Sequence, residues 1–255
     1  MYPEERQQAI AALVMSRGRA SVTELAETYA VTTETVRRDL AALDRAGVLH
    51  RVHGGAVPAR ALHVVESGVP ERESTRADHK DAIARTAVDF LPMNGASVLF
   101  DAGTTTARVA ALLPADLELT VVTNAVPIAA RVAALPSISL HLLGGRVRGL
   151  TQAAVGEQVL RVLDTLRVDI AFIGTNGISA THGLSTPDSE EAAVKRAMVR
   201  CANYVVVVTD SSKLGLEEFV SFAHLTDVDA VITDDEITDA HKAMLTEHEV
   251  EVVIA

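Results

Sequence analysis

From Lys80 onward the sequence alternates Val- and Ile-rich runs with amphipathic stretches, and this alternation limits the fold more than any other feature. The predicted strands are SVLFDAG, LTVVTN, ISLHLLGG, VDIAFIGTN, YVVVVTD, AVITD and EVVIA. Between them the spacing predicts helices near 79–91, 104–113, 125–134, 157–166, 188–202 and 235–248. Strands that are apolar along their whole length are buried on both faces. We therefore expect an α/β domain with a mostly parallel sheet that helices cover on both faces.

The N-terminal part has a different pattern, which predicts three short helices and a hairpin. The helices are predicted over 3–17, from Ser21 or Val22, and from Thr32 until Gly47. The segment VLHRVHGGAV then provides two extended pieces that can pair as a wing. Residues 58–78 are rich in Pro, Gly and charge and show no period. We predict a small domain of helices and a hairpin over 1–57, a linker over 58–78 and a second domain over 79–255.

The charge is distributed unevenly along the 255 residues. The formal charge of the whole chain is −11, which is unusual for a protein that binds DNA. Residues 1–60 carry eight Arg against seven acidic residues, whereas the remainder carries 15 basic and 27 acidic residues. A nearly neutral small module can still present a basic face, so the net charge neither supports nor excludes DNA binding.

The sequence contains no signal for a membrane or for secretion. No apolar run reaches the ~18–20 residues of a spanning helix. The N-terminal segment MYPEERQQAI is acidic where a signal peptide would be basic and then apolar. A single cysteine, Cys201, excludes an internal disulfide. We expect a cytoplasmic protein with no membrane partner.

The third N-terminal helix has the composition of a helix that reads DNA. Thr32 can cap it, and a buried stripe is formed by Val36, Leu40 and Leu43. This leaves polar residues on the outward side near its N-terminus, namely Thr33, Thr35, Arg37 and Arg38. Such side chains reach base edges and phosphates in the major groove. A solvated helix face would have the same charge pattern, so the pattern alone does not decide between the two.

A resemblance to a known family favours DNA binding over a solvated helix face. The stretch SVTELAETYAVTTETVRRDLAALDRAGVLHRVHGGAV resembles the DNA-binding module of the DeoR family, with its TVRRDL core and RVHGGA wing. It implies a winged helix-turn-helix that binds double-stranded operator DNA. It also implies that the DNA-facing residues are Thr33, Thr35, Arg37 and Arg38 on the helix, with Arg51 and His53 on the wing.

In the larger domain, a polar segment follows the first strand and runs directly into a helix. Its residues are Asp101, Ala102, Gly103, Thr104, Thr105 and Thr106. Glycine lets a backbone approach an anion, and the N–H groups at a helix start face it. The segment therefore suits a phosphate group, although Thr and Gly also serve as ordinary helix caps.

Other predicted strands also end in polar residues. These include Thr123-Asn124, Gly144-Gly145-Arg146, Thr175-Asn176-Gly177 and Asp210-Ser211-Ser212-Lys213. A helix after Pro187 adds Glu191 and Lys195 at (i, i+4) spacing. Taken singly, Thr123-Asn124 could be a helix cap, Glu191 and Lys195 could form a surface ion pair, and Lys213 could be a loop charge. Ligands bind at the carboxyl ends of parallel strands, so several polar ends on one edge favour a binding site.

The region from about 80 to 255 resembles the sensor domain of DeoR-type regulators. The segments DAGTTT, VTN, LLGG, GTNGIS, EEAAVKRAM and DSSKLG occur in the family's order. That domain is similar to ribose-5-phosphate isomerase, which implies a three-layer α/β/α sandwich. The resemblance also implies a phosphorylated sugar with its phosphate at Gly103, Thr104, Thr105 and Thr106. Its hydroxyls would lie near Asp101, Asn124, Asn176, Glu191 and Lys195, and Lys213 would contact it too.

Two functions compete: a ligand-controlled repressor, and a sugar-phosphate isomerase with an added DNA module. An isomerase needs a positioned carboxylate base, which Glu191 could supply with help from Asp101 or Asp210. However, the isomerase's Asp-Gly-Ala-Asp stretch is replaced here by Ile173-Gly174-Thr175-Asn176. We therefore expect a repressor, with no enzymatic activity and no catalytic residues.

The expected partners follow from this choice. They are operator DNA, a phosphorylated sugar and further copies of the chain in a dimer or tetramer. The stretches RGLTQAAVG and GLSTPD resemble regulators of fructose use, so fructose 1-phosphate is the predicted effector. We expect no cofactor and no metal, because the nine His residues are scattered.

Overall fold

The structure is a computed structural model that describes residues 3–17, 20–45, 48–52, 54–58 and 68–255. The chain separates into two compact units, residues 1–66 and 67–255. None of the described helices is both long and apolar enough to span a bilayer.

The first unit has the elements of a winged helix-turn-helix. Its helices are α1 (Pro3–Arg17), α2 (Val22–Thr28) and α3 (Thr33–Arg45). Its strands are β1 (Ala20–Ser21), β2 (Leu49–Val52) and β3 (Gly55–Pro58), which form an antiparallel sheet in the order β1-β3-β2. The predicted wing is therefore present as β2 and β3.

Local signals explain where these elements begin. Ser21 caps α2 in a capping box: its hydroxyl accepts from the Glu24 N–H at 3.1 Å, and the Glu24 carboxylate accepts from the Ser21 N–H at 2.8 Å. Thr32 caps α3, since its Oγ1 accepts from the Thr35 N–H at 3.2 Å. At Gly55 a Cβ would lie 2.3 Å from the carbonyl oxygen of Ala20, so only glycine lets β3 approach β1 this closely.

The predicted apolar stripe of α3 is buried. Val36, Leu40 and Leu43 pack in one core with Ile10 of α1 and Leu25 of α2. Burying one face of each helix leaves the opposite face of α3 in solvent.

The second unit contains the predicted seven-stranded sheet. In chain order its strands are β4 (Ser97–Phe100), β5 (Leu119–Thr123), β6 (Ile138–Leu142), β9 (Val168–Ile173), β12 (Ala202–Val208), β14 (Ala230–Thr233) and β15 (Glu251–Ile254). All neighbouring pairs are parallel, in the order β15-β14-β12-β9-β4-β5-β6. All seven strands predicted from the sequence are thus confirmed.

Helices cover both faces of this sheet. They are α4 (Val69–Ser74), α5 (Ala77–Ala87), α6 (Thr104–Ala111), α7 (Val126–Val132), α8 (Glu157–Leu163), α9 (Ser189–Cys201) and α10 (Asp239–Glu247). Alternate strand residues point into two separate cores: Leu99 and Ile173 pack with α8, α9 and α10, whereas Phe100 and Phe172 pack with α5, α6 and α7. The two phenylalanine rings stack with centroids 5.3 Å apart. The fold is the expected three-layer α/β/α sandwich.

Some elements were not predicted. Two are antiparallel: the hairpin of β7 (Arg146–Arg148) and β8 (Ala153–Val155), and a sheet of β10 (Gly177–Ser179), β11 (Gly183–Thr186) and β13 (Val220–Ala223). These strands have three or four residues, which is too short for a period to be visible. In the segment predicted as a linker, α4 and the start of α5 are helical. α4 has no buried residue, and so it lacks the apolar stripe that predicts a helix.

The connections create a topological switch point beside β4. The chain runs from β4 outward through β5 and β6 on one side, then returns to β9 on the other side and continues through β12, β14 and β15. In open α/β sheets, ligands bind at the carboxyl ends of the strands where the order reverses. The ends of β4 and β9 are therefore the place to look for a site.

Candidate effector site and DNA-binding surface

A buried ion pair joins the ends of β4 and β9 at the switch point. The Asp101 carboxylate follows β4, and its Oδ2 accepts from the Gly174 N–H after β9 at 3.0 Å and from the Lys195 ammonium. The same Lys195 Nζ donates to the Gly174 carbonyl at 2.8 Å. Asp101 and Lys195 are 1% and 5% exposed. Two residues predicted to bind effector thus contact each other across the switch point.

The environment of Asp101 suits a neutral ligand group. Burial raises the pKa of its carboxyl group; Lys195 opposes this shift, and the nearby Glu191 carboxylate adds to it. A phosphate placed beside Asp101 would raise this pKa further. A sugar hydroxyl, which donates to a carboxylate without adding charge, fits better at this position.

Next to this pair, α6 begins at the predicted phosphate segment. Thr104, Thr105 and Thr106 form its first turn, where backbone N–H groups lack partners within the helix. All three threonines are buried, and Thr106 Oγ1 donates to the Gly103 carbonyl at 2.9 Å. The segment lies close to the ion pair, since a Cβ on Gly174 would be 3.6 Å from Asp101 Oδ2 and 4.0 Å from Thr106 Cγ2.

Several charged groups act on Lys80 in the same unit. The Lys80 ammonium is 5% exposed and donates to the carbonyls of Arg72 and, at 2.8 Å, Thr75. Burial lowers the pKa of Lys80 from 10.5 to about 8; Asp210 opposes this shift, and Arg108, Arg72 and Lys213 add to it. An ammonium has three N–H donors, and carbonyls take two of them.

This cluster is connected to the phosphate segment. The Arg108 guanidinium donates to the Thr104 carbonyl at 3.3 Å and to the Glu73 carbonyl at 3.0 Å. Lys213, predicted to contact the effector, lies in the 3₁₀ turn Ser211–Lys213, and its charge acts on Lys80. An anion near Lys80 would relieve the repulsion among these cations.

Glu191 is held by the β7–β8 hairpin. Its Oε1 accepts from the guanidinium of Arg148 and from the hydroxyl of Thr151, and Glu191 is 7% exposed. Glu191 and Lys195 therefore lie in the buried layer of α9 with separate partners. The two residues therefore do not form the surface ion pair that their (i, i+4) spacing also allowed.

The two predicted asparagines differ in their surroundings. Asn124 is 2% exposed; its Nδ2 donates to the Ala154 carbonyl at 3.0 Å, and its Oδ1 is buried without a hydrogen-bond partner in the part of the chain that the structure describes. Asn176 is half-buried, and its Oδ1 accepts from the Thr186 hydroxyl at 3.2 Å. A buried acceptor without a partner costs free energy, so Asn124 is the better candidate for a ligand hydroxyl.

One group of side chains has the spacing of a metal site. His79, Asp234 and Asp235 place potential ligand atoms within 4.8 Å of one another, and no other such group occurs among the described residues. However, the Asp234 carboxylate already accepts from the Ser211 N–H at 2.8 Å and from the Arg76 guanidinium at 3.2 Å. A guanidinium inside the group repels a cation, so the group fits an ion-pair network better than a metal centre.

The outward face of α3 carries the predicted DNA-binding residues. Thr33 is exposed, whereas Thr35 is half-buried, with its hydroxyl 2.9 Å from that of Thr32. The Arg37 and Arg38 side chains are 58% and 80% exposed, and both lie near Glu34, at 3.8 Å and 3.5 Å. The backbone of Arg51 lies in β2, while its side chain and the whole of His53 are outside the described residues.

Sequence reasoning missed several residues that this site depends on. Lys80, Arg108, Arg148 and Thr151 were not predicted, although each contacts a predicted residue or acts on one. Only Lys80 left a signal: it lies on one helical face with Ile83, Ala84 and Ala87, and a lysine in an apolar stripe is unusual.

Comparisons with known proteins identify both units. Residues 6–60 match the family model of the DeoR-like helix-turn-helix domain, and residues 75–235 match that of the DeoR C terminal sensor domain. The chain is 38% identical over 234 residues to the HTH-type transcriptional regulator GlpR of Haloferax volcanii, covering 92% of this chain and 91% of the relative. It is 31% identical over 252 residues to the glycerol-3-phosphate regulon repressor of Escherichia coli, covering 99% of each chain.

A solved structure, the ribose 5 phosphate isomerase A of Neisseria gonorrhoeae, is similar at 12% identity and a TM-score of 0.39, over 55% of each chain. A likeness at this level supports no conclusion about chemistry. The two matched domains and the long relatives agree: the chain belongs to the DeoR family of transcriptional regulators.

Proposed function

We propose that this chain is a transcriptional repressor whose affinity for operator DNA is controlled by a small phosphorylated carbohydrate. The observation that carries the proposal is the cluster at the switch point, where the Asp101–Lys195 pair lies beside the N-terminus of α6. The relatives named above include a regulator and a regulon repressor, which supports the same function for this chain.

The site divides into two parts with different chemistry. Backbone N–H groups of Thr104, Thr105 and Thr106, together with Lys80 and Lys213, supply positive potential for a phosphate. Asp101, Asn124, Asn176, Glu191 and Lys195 supply donors and acceptors for hydroxyls. A ligand with a phosphate at one end and hydroxyls along a short carbon chain matches both parts.

Two effectors are the first to test. Fructose 1-phosphate is supported by the resemblance of RGLTQAAVG and GLSTPD to regulators of fructose use. Glycerol 3-phosphate is supported by the name of the Escherichia coli relative. Both combine a phosphate with hydroxyls, so both match the two parts of the proposed site.

Binding without turnover is the better interpretation of the two carboxylates. Asp101 is paired with Lys195, and Glu191 accepts from Arg148 and Thr151. A general base must have an oxygen atom free to take a proton from the substrate, and Asp101 Oδ2 and Glu191 Oε1 already accept hydrogen bonds from donors within the protein. These contacts support a sensor over an isomerase.

In the DNA-binding unit, we assign base and phosphate contacts to Thr33, Thr35, Arg37 and Arg38, with Arg51 and His53 on the wing. A dimer or tetramer would place two such units on paired half-sites. Effector binding would then change operator affinity by about 5–150-fold, a typical range for allosteric coupling. A repressor works where the chromosome is, which agrees with the expected cytoplasmic location.

A thermal-shift titration tests the sensor first. The purified protein is titrated with fructose 1-phosphate, glycerol 3-phosphate, fructose and glycerol. A ligand at 100 times its Kd stabilises the folded state by about 2.7 kcal/mol, so binding is easily seen. We expect a shift with a phosphorylated compound and none with its parent. No shift with any sugar phosphate would remove the sensor assignment.

Two pairs of variants and one further substitution then separate the functions. Arg38→Ala should weaken binding to DNA and leave effector binding intact, while Arg17→Ala, an exposed arginine on α1, is the control. Thr105→Val should weaken effector binding, while Thr105→Ser keeps the hydroxyl. Lys213→Ala should also weaken effector binding and give a repressor that cannot be induced. Normal effector affinity in Thr105→Val would contradict the phosphate assignment.

A further inference from the structure

We propose that the β7–β8 hairpin, residues 146–155, couples the effector site to the N-terminal end of the sensor unit. It contacts Glu191 and Asn124 of the proposed effector site and also Val69 of α4. This inference rests on the proposed function, because it names the element that transmits effector binding.

On the site side, the hairpin is held at the start of α9 by charge. Arg148 pairs with Glu191 and lies 3.4 Å from the Asp188 carboxylate, and Arg146 pairs with Glu190. Asp188 is the N-cap of α9, where its carboxylate accepts from the N–H groups of Glu190 and Glu191 at 3.0 Å. The hairpin is therefore attached to the helix that also carries Lys195.

A second attachment joins the hairpin to the end of β5. Asn124 is bonded to Ala154 twice: its side chain donates to the Ala154 carbonyl at 3.0 Å, and its own carbonyl accepts from the Ala154 N–H at 2.8 Å. Gln152, in the loop of the hairpin, has a φ of +54°, and its carbonyl accepts from the Val126 N–H at 3.0 Å. Two residues assigned to effector hydroxyls, Asn124 and Glu191, are thus both bonded to the hairpin.

The loop of the hairpin also contacts the first described residues of the sensor unit. The Leu150 carbonyl accepts from the Val69 N–H at 3.3 Å, and a Cβ on Gly68 would lie 3.7 Å from the Leu150 side chain. Leu150 is the chain neighbour of Thr151, which bonds Glu191. Two adjacent residues therefore make the two contacts: Thr151 contacts the proposed effector site, and Leu150 contacts the chain that leads to the DNA-binding unit.

This arrangement defines how an effector acts. A ligand hydroxyl that donates to Glu191 Oε1 competes with Arg148 and Thr151 for the same oxygen atom. One that donates to the unpartnered Oδ1 of Asn124 acts on the side chain whose Nδ2 donates to the Ala154 carbonyl. The hairpin then shifts, and this shift alters the hydrogen bond from the Val69 N–H to the Leu150 carbonyl. Coupling requires that the ligand bind one arrangement of the hairpin more tightly than the other. The competition for hydrogen bonds at the hairpin provides this difference in affinity.

The Leu150–Val69 bond can be removed without touching the site. Val69 is the first residue of α4, a position that accepts proline because its N–H has no partner within the helix. Val69→Pro deletes the N–H that donates to Leu150, and Val69→Ala keeps it while removing the side chain. Operator affinity of the full chain is measured with and without fructose 1-phosphate or glycerol 3-phosphate, on a duplex that the native protein selects from a random library.

We expect Val69→Pro to bind effector within about twofold of the native protein and to lose at least four-fifths of the effector-dependent change in DNA affinity. Val69→Ala should keep that change. A Val69→Pro protein with the full native response would overturn the role of the hairpin and leave the proposed function intact. A native protein that responds to neither compound would overturn the proposed function and this inference together.

Amide hydrogen exchange provides a readout that does not depend on DNA. Thr151→Val removes the hydroxyl that bonds Glu191, and Thr151→Ser keeps it. We expect the Val69 amide to exchange faster in Thr151→Val than in Thr151→Ser, because loosening one side of the hairpin weakens the other. Equal exchange in the two variants would contradict the link even if Val69→Pro failed to fold.

Discussion

Arg6 and Asp39 form a buried ion pair that ties α1 to α3. The Arg6 Nε lies 2.6 Å from the Asp39 Oδ2, and the Gln7 side chain donates to Asp39 Oδ1 at 3.0 Å. Asp39 follows Arg37 and Arg38 in the TVRRDL segment; the two arginines are exposed, whereas the aspartate is buried against α1. The pair holds α3 against α1, and we expect it to fix the rotation of the helix that carries the proposed DNA-binding side chains.

Asp39→Asn should therefore lower DNA affinity without touching a DNA-facing residue. The amide carries no negative charge to pair with Arg6 and offers one acceptor oxygen where the carboxylate uses two. We expect about a tenfold loss in operator affinity, since base contacts depend on the helix orientation. Operator binding is measured by fluorescence anisotropy. Effector affinity, a property of the other unit, is the control; if operator affinity were unchanged, the pair would not orient the helix.

Glu34→Gln should raise DNA affinity at low salt. Glu34 lies near both Arg37 and Arg38, and its carboxylate repels the phosphate backbone. Exposed pairs of this kind contribute about 0.2–1 kcal/mol, so stability should change little. We expect a roughly two- to fivefold gain that disappears as salt rises. Glu27→Gln, an exposed glutamate on α2, is the matched control; a loss of affinity in Glu34→Gln would mean that Glu34 orients the arginines productively.

Lys195→Met should strongly destabilise the sensor unit. It leaves the buried Asp101 carboxylate without its ammonium partner, and breaking a buried pair costs about 3–5 kcal/mol. Replacing both partners, as in Asp101→Leu with Lys195→Met, should recover most of this loss. Urea unfolding measures both. Effector binding should be lost in the single and the double variant, and a double variant that still binds would exclude the pair from the site.

Effector affinity should fall as pH rises through about 8. The pKa of Lys80 is about 8 in the folded protein and 10.5 when unperturbed, so folding releases a proton between these values and stability rises with pH in that window. A bound phosphate favours the charged ammonium and therefore binds better below pH 8. We expect a roughly five- to tenfold weaker Kd at pH 9 than at pH 7, by calorimetry.

Lys80→Met should remove most of this pH dependence, whereas Lys242→Met on α10 should keep it. An unchanged profile in Lys80→Met would place the phosphate away from Lys80.

The strands, a buried helix face and a helix cap were predicted from patterns that extend over a few neighbouring residues. Apolar runs predicted all seven strands of the main sheet, and the 3.6-residue period predicted the buried stripe of Val36, Leu40 and Leu43 on α3. Thr32 as a cap was also readable, because capping involves residues three apart. The family resemblance then indicated at which strand ends to place the proposed effector residues.

The tertiary structure decided the partners of those residues. Asp101 and Lys195 are 94 positions apart, and Arg148 and Glu191 are 43 apart, so no local period connects them. Sheet order brought β4 beside β9, and a three-residue hairpin strand delivered Arg148 to α9. Local propensity sets where helices and strands form, whereas burial of charge demands a partner, and only the packed chain shows which residue that partner is.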